Sequence, residues 1–284
     1  TLMTREVGEK PSNIATYNRF EGGDVEAAFA AADVVVEREF TTKMVHQGYI
    51  EPHSSTANWN SDGTLTIWTS TQGAFAARGV IAQVLRLPLS QVRVVPMEIG
   101  GGFGGKTPIY LDPVAAILSR KTGRPVKATM SRADVFQGSG PTSGTYMKLK
   151  AAASGDKLTA VQATLCFEAG AFPGSSVGAG CMTMLAPYVV DNFQLHAYDV
   201  VVNKPKVAAY RAPGAPPAAF AIESVVDELA HRQGIDPLEF RRANASRQGT
   251  KMVTGMPFAR IGNEEVVEAA INSPHYRSPI EGPN

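Results

Sequence analysis

The chain has 284 residues, 44% of them hydrophobic, with 27 Lys and Arg against 26 Asp and Glu for a net charge of +1. This length supports one large or two smaller packed domains, and the balanced charge argues against the basic field that nucleic acid or an acidic membrane surface would need. Cys166 and Cys181 are too few for a disulfide scaffold or a structural zinc site, which suits a reducing, cytoplasmic compartment, and no apolar run is long enough to span a membrane.

Residues 1–21 are polar and weakly patterned and read as a linker or extension. Asp24 is placed to cap an Ala-rich helix ending near Ala32, and Val34 to Thr41 alternates as a β-branched strand. Ser55–Trp59 and Leu65–Ser70 flank an Asp62-Gly63 turn, the signature of a hairpin. An amphipathic helix from Gly73 to Leu87 precedes a strand from Gln91 to Ile99, then a glycine-rich loop, a helix over Ile109–Leu118 and a strand from Pro125 to Ser131.

A second hairpin is predicted where Tyr146–Ala151 and Leu158–Glu168 flank Ser154-Gly155-Asp156. Gly170 to Gly180 reads as a long irregular loop, and His196–Val202 as a strand. A helix over Ala218–Gln233 carries Phe220, Val225 and Leu229 on one stripe with Gly234 just beyond it. Asp236-Pro237 opens a short helix to Ala245, and a last helix covers Asn263–Asn272. Strands and helices without strict alternation give an α+β class, with mixed sheets and packed helices.

The densest signal is Gly100-Gly101-Gly102-Phe103-Gly104-Gly105-Lys106-Thr107. Gly100-x-x-x-x-Gly105-Lys106-Thr107 satisfies the P-loop pattern of a nucleotide-binding protein, although Pro108 and Pro113 interrupt the helix that should follow and no magnesium-binding Asp is evident. Gly100-x-Gly102-x-x-Gly105 also satisfies the dinucleotide fingerprint, but Ser131 and Arg132 stand where its acidic residue belongs. A turn without a ligand, as in a non-catalytic interaction domain, is the third reading. Phe103 sits awkwardly in all three, because an aromatic ring between glycines has little to pack on unless the loop folds over something.

The glycine stretch is followed by Ala209-Tyr210-Arg211-Ala212-Pro213-Gly214 and then Phe220-Ala221-Ile222-Glu223-Ser224-Val225-Val226-Asp227-Glu228-Leu229-Ala230. With His46 to Pro52, Thr71-Gln72 and Asp236 to Asn244, this ordered set resembles the molybdenum-binding subunit of the xanthine oxidase and aldehyde oxidase family, over about Gly22 to Ala270. The resemblance implies the first of two molybdenum-cofactor-binding domains, over 22–277, with 278–284 a truncated linker to the second. Two subdomains, about 22–140 and 141–277, are a further expectation. Both ends read as cuts through a longer polypeptide, and the chain as inactive in isolation.

It also implies a molybdopterin cofactor that oxidises an aldehyde or N-heteroaromatic carbon with water as the oxygen source, no metal ligand from side chains, and iron–sulfur and FAD centres on partner domains or subunits. Gln72 would hydrogen-bond the apical oxo group, Gly102, Phe103 and Gly104 would lie against the metal's inner shell, and Arg211 would hold negative charge developing on the substrate. Arg241 would be a second cofactor contact. His46, Glu51 and His53 suit no common zinc spacing and are expected to serve as structure or pocket wall. Thr107 stands where purine-hydroxylating members carry a glutamate, and Ala212 where carbon monoxide dehydrogenases carry a copper-binding cysteine, which argues against both reactions. The general-base glutamate of the family belongs to the later half.

Overall fold

The computed structural model describes residues 5–7 and 10–279, with side chains from residue 12 onward; the last five residues of the predicted 278–284 linker lie outside that range. Short strands β1 (Arg5–Val7) and β2 (Lys10–Ser12) pair with each other, and β3 (Ile14–Gly22) follows. Residues 14–21, expected to be linker, are therefore strand. β3 is the edge of a sheet, and apart from Ala15 and Phe20 its side chains are mostly exposed, so it lacks a clear apolar alternation; an antiparallel ladder with the later segment Asn192–Val201 holds it.

Helix α1 (Val25–Ala30) is capped by Asp24, whose carboxylate accepts the Ala27 amide, and β4 (Val34–Thr42) comes next. A smaller unit then forms from β5 (Ser54–Trp59), β6 (Leu65–Thr69), α2 (Ala74–Leu85), β7 (Val92–Pro96), α3 (Asp112–Thr122) and β8 (Val126–Thr129). Its sheet order is β7-β6-β5-β8, with β6 and β7 parallel through the α2 crossover. Ala77 and Ile81 of α2 and Ala115 and Ala116 of α3 pack on Ala57, Leu65 and Ile67. Pro113 lies in the first turn of α3, where its missing N–H costs nothing, so it starts that helix instead of interrupting it.

After α4 (Arg132–Gly138), the long hairpin of β9 (Thr145–Ser154) and β10 (Lys157–Gly170) forms as predicted. Helix α5 (Val177–Met184) occupies part of the expected loop, and β11 (Asn192–Val201) returns parallel to β10. The larger sheet runs β3-β11-β10-β9-β4. A division near residue 140 does not follow the sheets, because β3 and β4 belong to the larger one while residues 54–129 form the smaller.

Met147, Leu149, Ala151 and Ala153 alternate toward α6 (Ala215–Arg232), which buries Ala218, Ala221, Ile222, Val225, Val226 and Leu229 at helical spacing. On the other face Ala152 and Ala160 meet Phe29 of α1. Phe220, expected on the buried stripe, is 53% exposed and meets the edge of Phe40 at 5.3 Å between centroids. Among the described residues no helix is long and apolar enough to cross a membrane.

Asp236 caps α7 (Pro237–Ala243), its Oδ1 accepting the amides of Leu238 and Glu239 at 2.9 and 3.1 Å, while Tyr276 donates its hydroxyl to the same carboxylate beyond α8 (Asn263–Ile271). Asp236→Ala is expected to cost about 1 kcal/mol, as removal of a helix N-cap usually does, read as a lower urea midpoint at unchanged slope.

Candidate functional site

The glycine loop leaves β7 of the smaller sheet and crosses toward the larger one, where residues 207–214 enter α6. Its turn is built by backbone bonds from Gly105 to the Gly102 carbonyl at 2.7 Å and from Thr107 to the Gly104 carbonyl at 3.2 Å. Phe103 takes the left-handed region at φ +50° and is 45% exposed at the crest. Gly104 has φ +100°, and a Cβ there would lie 2.6 Å from the Ala209 carbonyl oxygen. The glycine there is demanded by the protein's own backbone, not only by an approaching ligand.

Two side-chain oxygens hold the loop from behind. Gln72 Oε1 accepts the amides of Gly104 at 2.8 Å and Lys106 at 3.2 Å. That fixes the side-chain amide with its oxygen inward, leaving Nε2, which has no partner among the described residues, as a donor beside the cleft that Gln72 lines. Glu51 Oε2 accepts the Gly100 amide at 2.7 Å and the Lys106 ammonium at 2.5 Å. Burial alone would push the Glu51 carboxyl up, but these two donors outweigh it and hold it below the usual carboxylate range.

Lys106 is fully buried, 5.2 Å from the Tyr49 ring centroid, with its charge committed to Glu51. It cannot reach a phosphate, and α3 begins only at Asp112, so the P-loop reading fails. The dinucleotide reading fails too: Arg132 spends its guanidinium on the carbonyls of Tyr49 and Ile50, and Ser131 closes a capping box with Asp134. Titration with ATP and magnesium to millimolar concentration is expected to show no saturable binding, and Lys106→Ala no loss of any.

Arg211 meets the loop crest, its amide donating to the Phe103 carbonyl at 2.9 Å. Its guanidinium makes no ion pair among the described residues. The next residue, Ala212, also adopts the left-handed region at φ +56°, so the two facing turns each hold a non-glycine residue in a sparsely populated conformation. Gln72, Gly102, Phe103, Gly104, Arg211 and Ala212 together line one open cleft of about 450 Å³. Arg211 and Ala212 also border a second, more apolar cleft of about 640 Å³ walled by Val45, Pro217 and Phe220.

Arg241 does not join this group. It binds Glu223 and Asp227 at 2.7 Å each and the Pro237 carbonyl at 3.1 Å, tying α7 to α6, so its donors are committed to structure and the cofactor contact expected of it is not supported. His46, Glu51 and His53 likewise form supporting structure. Gly48 N–H donates to His46 Nδ1, which leaves Nε2–H to donate to Ser139 Oγ at 2.8 Å. His53 Nε2 lies 2.6 Å from the Tyr49 hydroxyl, and burial, reinforced by the Lys106 charge, pushes the ring down to about 4, so it is neutral near pH 7. Gln47 Nε2 ties the same stretch to the carbonyls of Gly140 at 3.0 Å and Ala209 at 2.8 Å. Among the described residues no group of three or more His, Cys, Asp or Glu could hold a metal ion.

A family model described as the molybdopterin cofactor-binding domain matches residues 7–245. The nicotinate dehydrogenase large molybdopterin subunit of Eubacterium barkeri is 35% identical over 266 residues, covering 91% of this chain and 62% of its own length. The aldehyde oxidoreductase molybdenum-binding subunit PaoC of Escherichia coli K12 is 34% identical over 225 residues, with 78% of this chain and 30% of that one covered. Among solved structures, the aldehyde oxidoreductase of Desulfovibrio gigas superposes with a TM-score of 0.84 at 29% identity, over 90% of this chain and 29% of that one. The chain thus spans less than two thirds of these relatives. It belongs to the molybdopterin cofactor-binding domain family.

Proposed function

We propose that the chain supplies one wall of the active site of a molybdenum hydroxylase acting on an aldehyde or N-heteroaromatic substrate. The observation that carries this is the lining of the cleft: Gln72 and Arg211, whose side-chain N–H groups have no partner among the described residues, border it together with a turn that carries no side chain at Gly102 and Gly104. Such a wall fits an anionic cofactor that brings its own metal ligands, and does not fit an ion needing protein ligands.

When bound, the molybdenum cofactor supplies the two-electron redox chemistry, with water as the oxygen source. The protein's part is positioning and electrostatics. Gln72 Nε2 would donate to an oxygen of the bound group, the Phe103–Gly104 backbone would limit how far that group can shift, and Arg211 would oppose negative charge developing on the substrate. The remainder of the site, including the general-base glutamate, is assigned to a second cofactor domain, and electron transfer to iron–sulfur and FAD centres on partner domains or subunits. Two free cysteines suit the reducing conditions of the cytoplasm.

The test is oxidation of a panel of aldehydes and N-heteroaromatics by the assembled, molybdenum-loaded enzyme with an artificial electron acceptor, in ¹⁸O-labelled water. Label in the product, and loss of turnover in Arg211→Met, are expected. A molybdenum-loaded assembly that oxidises nothing in the panel would instead favour a non-catalytic interaction role.

A further inference from the structure

Lys106 poses a problem that the hydroxylase reading leaves open. A lysine with no exposed surface carries a desolvation cost that an apolar side chain of the same length would not, and buried ion pairs are weak contributors to stability. Its partner is placed to do something else. One carboxylate oxygen, Glu51 Oε2, takes both the Lys106 ammonium at 2.5 Å and the Gly100 amide at 2.7 Å, the two feet of the arch whose crest is Phe103. The Glu51 amide also donates to the Gly100 carbonyl at 3.1 Å, so this foot is clasped in both directions. From Lys106 the backbone carries the constraint forward, since its carbonyl accepts the Gln72 amide at 2.9 Å and its own amide donates to Gln72 Oε1.

We propose that Glu51 and Lys106 are a positioning pair, a strut closing the base of the glycine arch so that Phe103, Gly104 and the Gln72 amide hold a fixed geometry toward the cofactor. The kinetic part of this assignment rests on the hydroxylase reading; the structural part does not. Glu51 remains about one third exposed, which keeps its carboxylate partly hydrated while the lysine is sealed, so the pair is anchored from the solvent side. Loosening it releases the feet of the arch without touching any group at the cleft.

The test uses Glu51→Gln, Lys106→Met and the double variant in the assembled, molybdenum-loaded enzyme. Each single variant is expected to lower kcat about tenfold with KM within about threefold and unchanged molybdenum content, the pattern of a misplaced but occupied site. Amide hydrogen exchange over residues 97–107 should quicken about tenfold while residues 145–170 are unchanged. The double variant, which buries no charge, should regain stability but not kcat; a merely structural pair would regain both. The assignment is overturned if kcat stays within about twofold of wild type in the single variants, or if the double variant restores it. Should the single variants not accumulate, the double variant alone decides: low kcat at native stability supports the strut, and near-native kcat removes it. If the wild-type assembly oxidises no substrate, the hydroxylase reading falls, and the exchange measurement on the purified protein still decides whether the pair holds the arch.

Discussion

Gly104→Ala is expected to destabilise the chain by about 3 kcal/mol and to abolish cofactor retention in the assembled enzyme, because two costs of about 1–3 kcal/mol each fall on one atom. The first is conformational, since at φ +100° an L side chain is strained whatever the space around it. The second is steric, as the new Cβ would lie 2.6 Å from the carbonyl oxygen and 2.8 Å from the carbonyl carbon of Ala209. Ala209 cannot simply withdraw, because its oxygen already accepts the buried amide of Gln47. The loop must move instead, and in moving it gives up the Gly104 bond to Gln72 Oε1 that aims the free end of that amide at the cleft. Gly79→Ala, inside α2 with nothing within 4 Å of the new methyl, is the control and should stabilise by about 0.5–1 kcal/mol. Urea unfolding of both variants checks the opposite signs; a Gly104→Ala protein as stable as wild type would mean that the arch is not packed against Ala209.

The elements legible in the sequence are those whose signals are local. Asp24, Asp62-Gly63 and Asp236-Pro237 each satisfy nearby backbone groups, so their caps and turns form where expected. β3 is hidden because its ladder partner β11 is distant in sequence and most of its own side chains are exposed, with Ala15, buried, and Phe20, packed against the core, as the exceptions. α5 was hidden because Gly178 and Gly180 lower its intrinsic propensity; tertiary packing overrides this, with Phe167 and the Gly214 carbonyl closing on Gly180.

The site divides in the same way. Gln72, Phe103, Gly104 and Arg211 sit in contiguous motifs and come together in one cleft, whereas Arg241 could not be told from a cofactor contact until its partners Glu223 and Asp227 were in view. The Glu51–Lys106 pair needed the same tertiary information. Nothing local in the sequence ties Lys106 to a carboxylate 55 residues earlier.

Stability is expected to fall by up to about 3 kcal/mol as pH drops from 6.5 toward 4, with His53 as a main source. Its folded-state value is depressed to about 4, chiefly by burial and then by Lys106, against 6.5 in the unfolded chain. The unfolded state therefore binds a proton through this window that the folded state refuses. The stabilisation is complete above pH 6.5 and is lost progressively on acidification. A neutral ring is also what the geometry requires, because a charged His53 beside Lys106 would add a second buried cation behind the glycine arch. His46, held down by burial and by Arg132, contributes a slope of the same sign, so a single substitution removes only part of the effect. Glu51 acts in a lower window: its carboxyl lies below the usual range, and its pairing with Lys106 is lost only as pH falls through that depressed value. Urea midpoints between pH 7 and about 5.5, above the range where the unfolded carboxyls take up protons, thus report chiefly on the histidines. His53→Gln should flatten the profile relative to wild type whatever its stability at pH 7, and parallel profiles would show that His53 titrates normally in the folded chain.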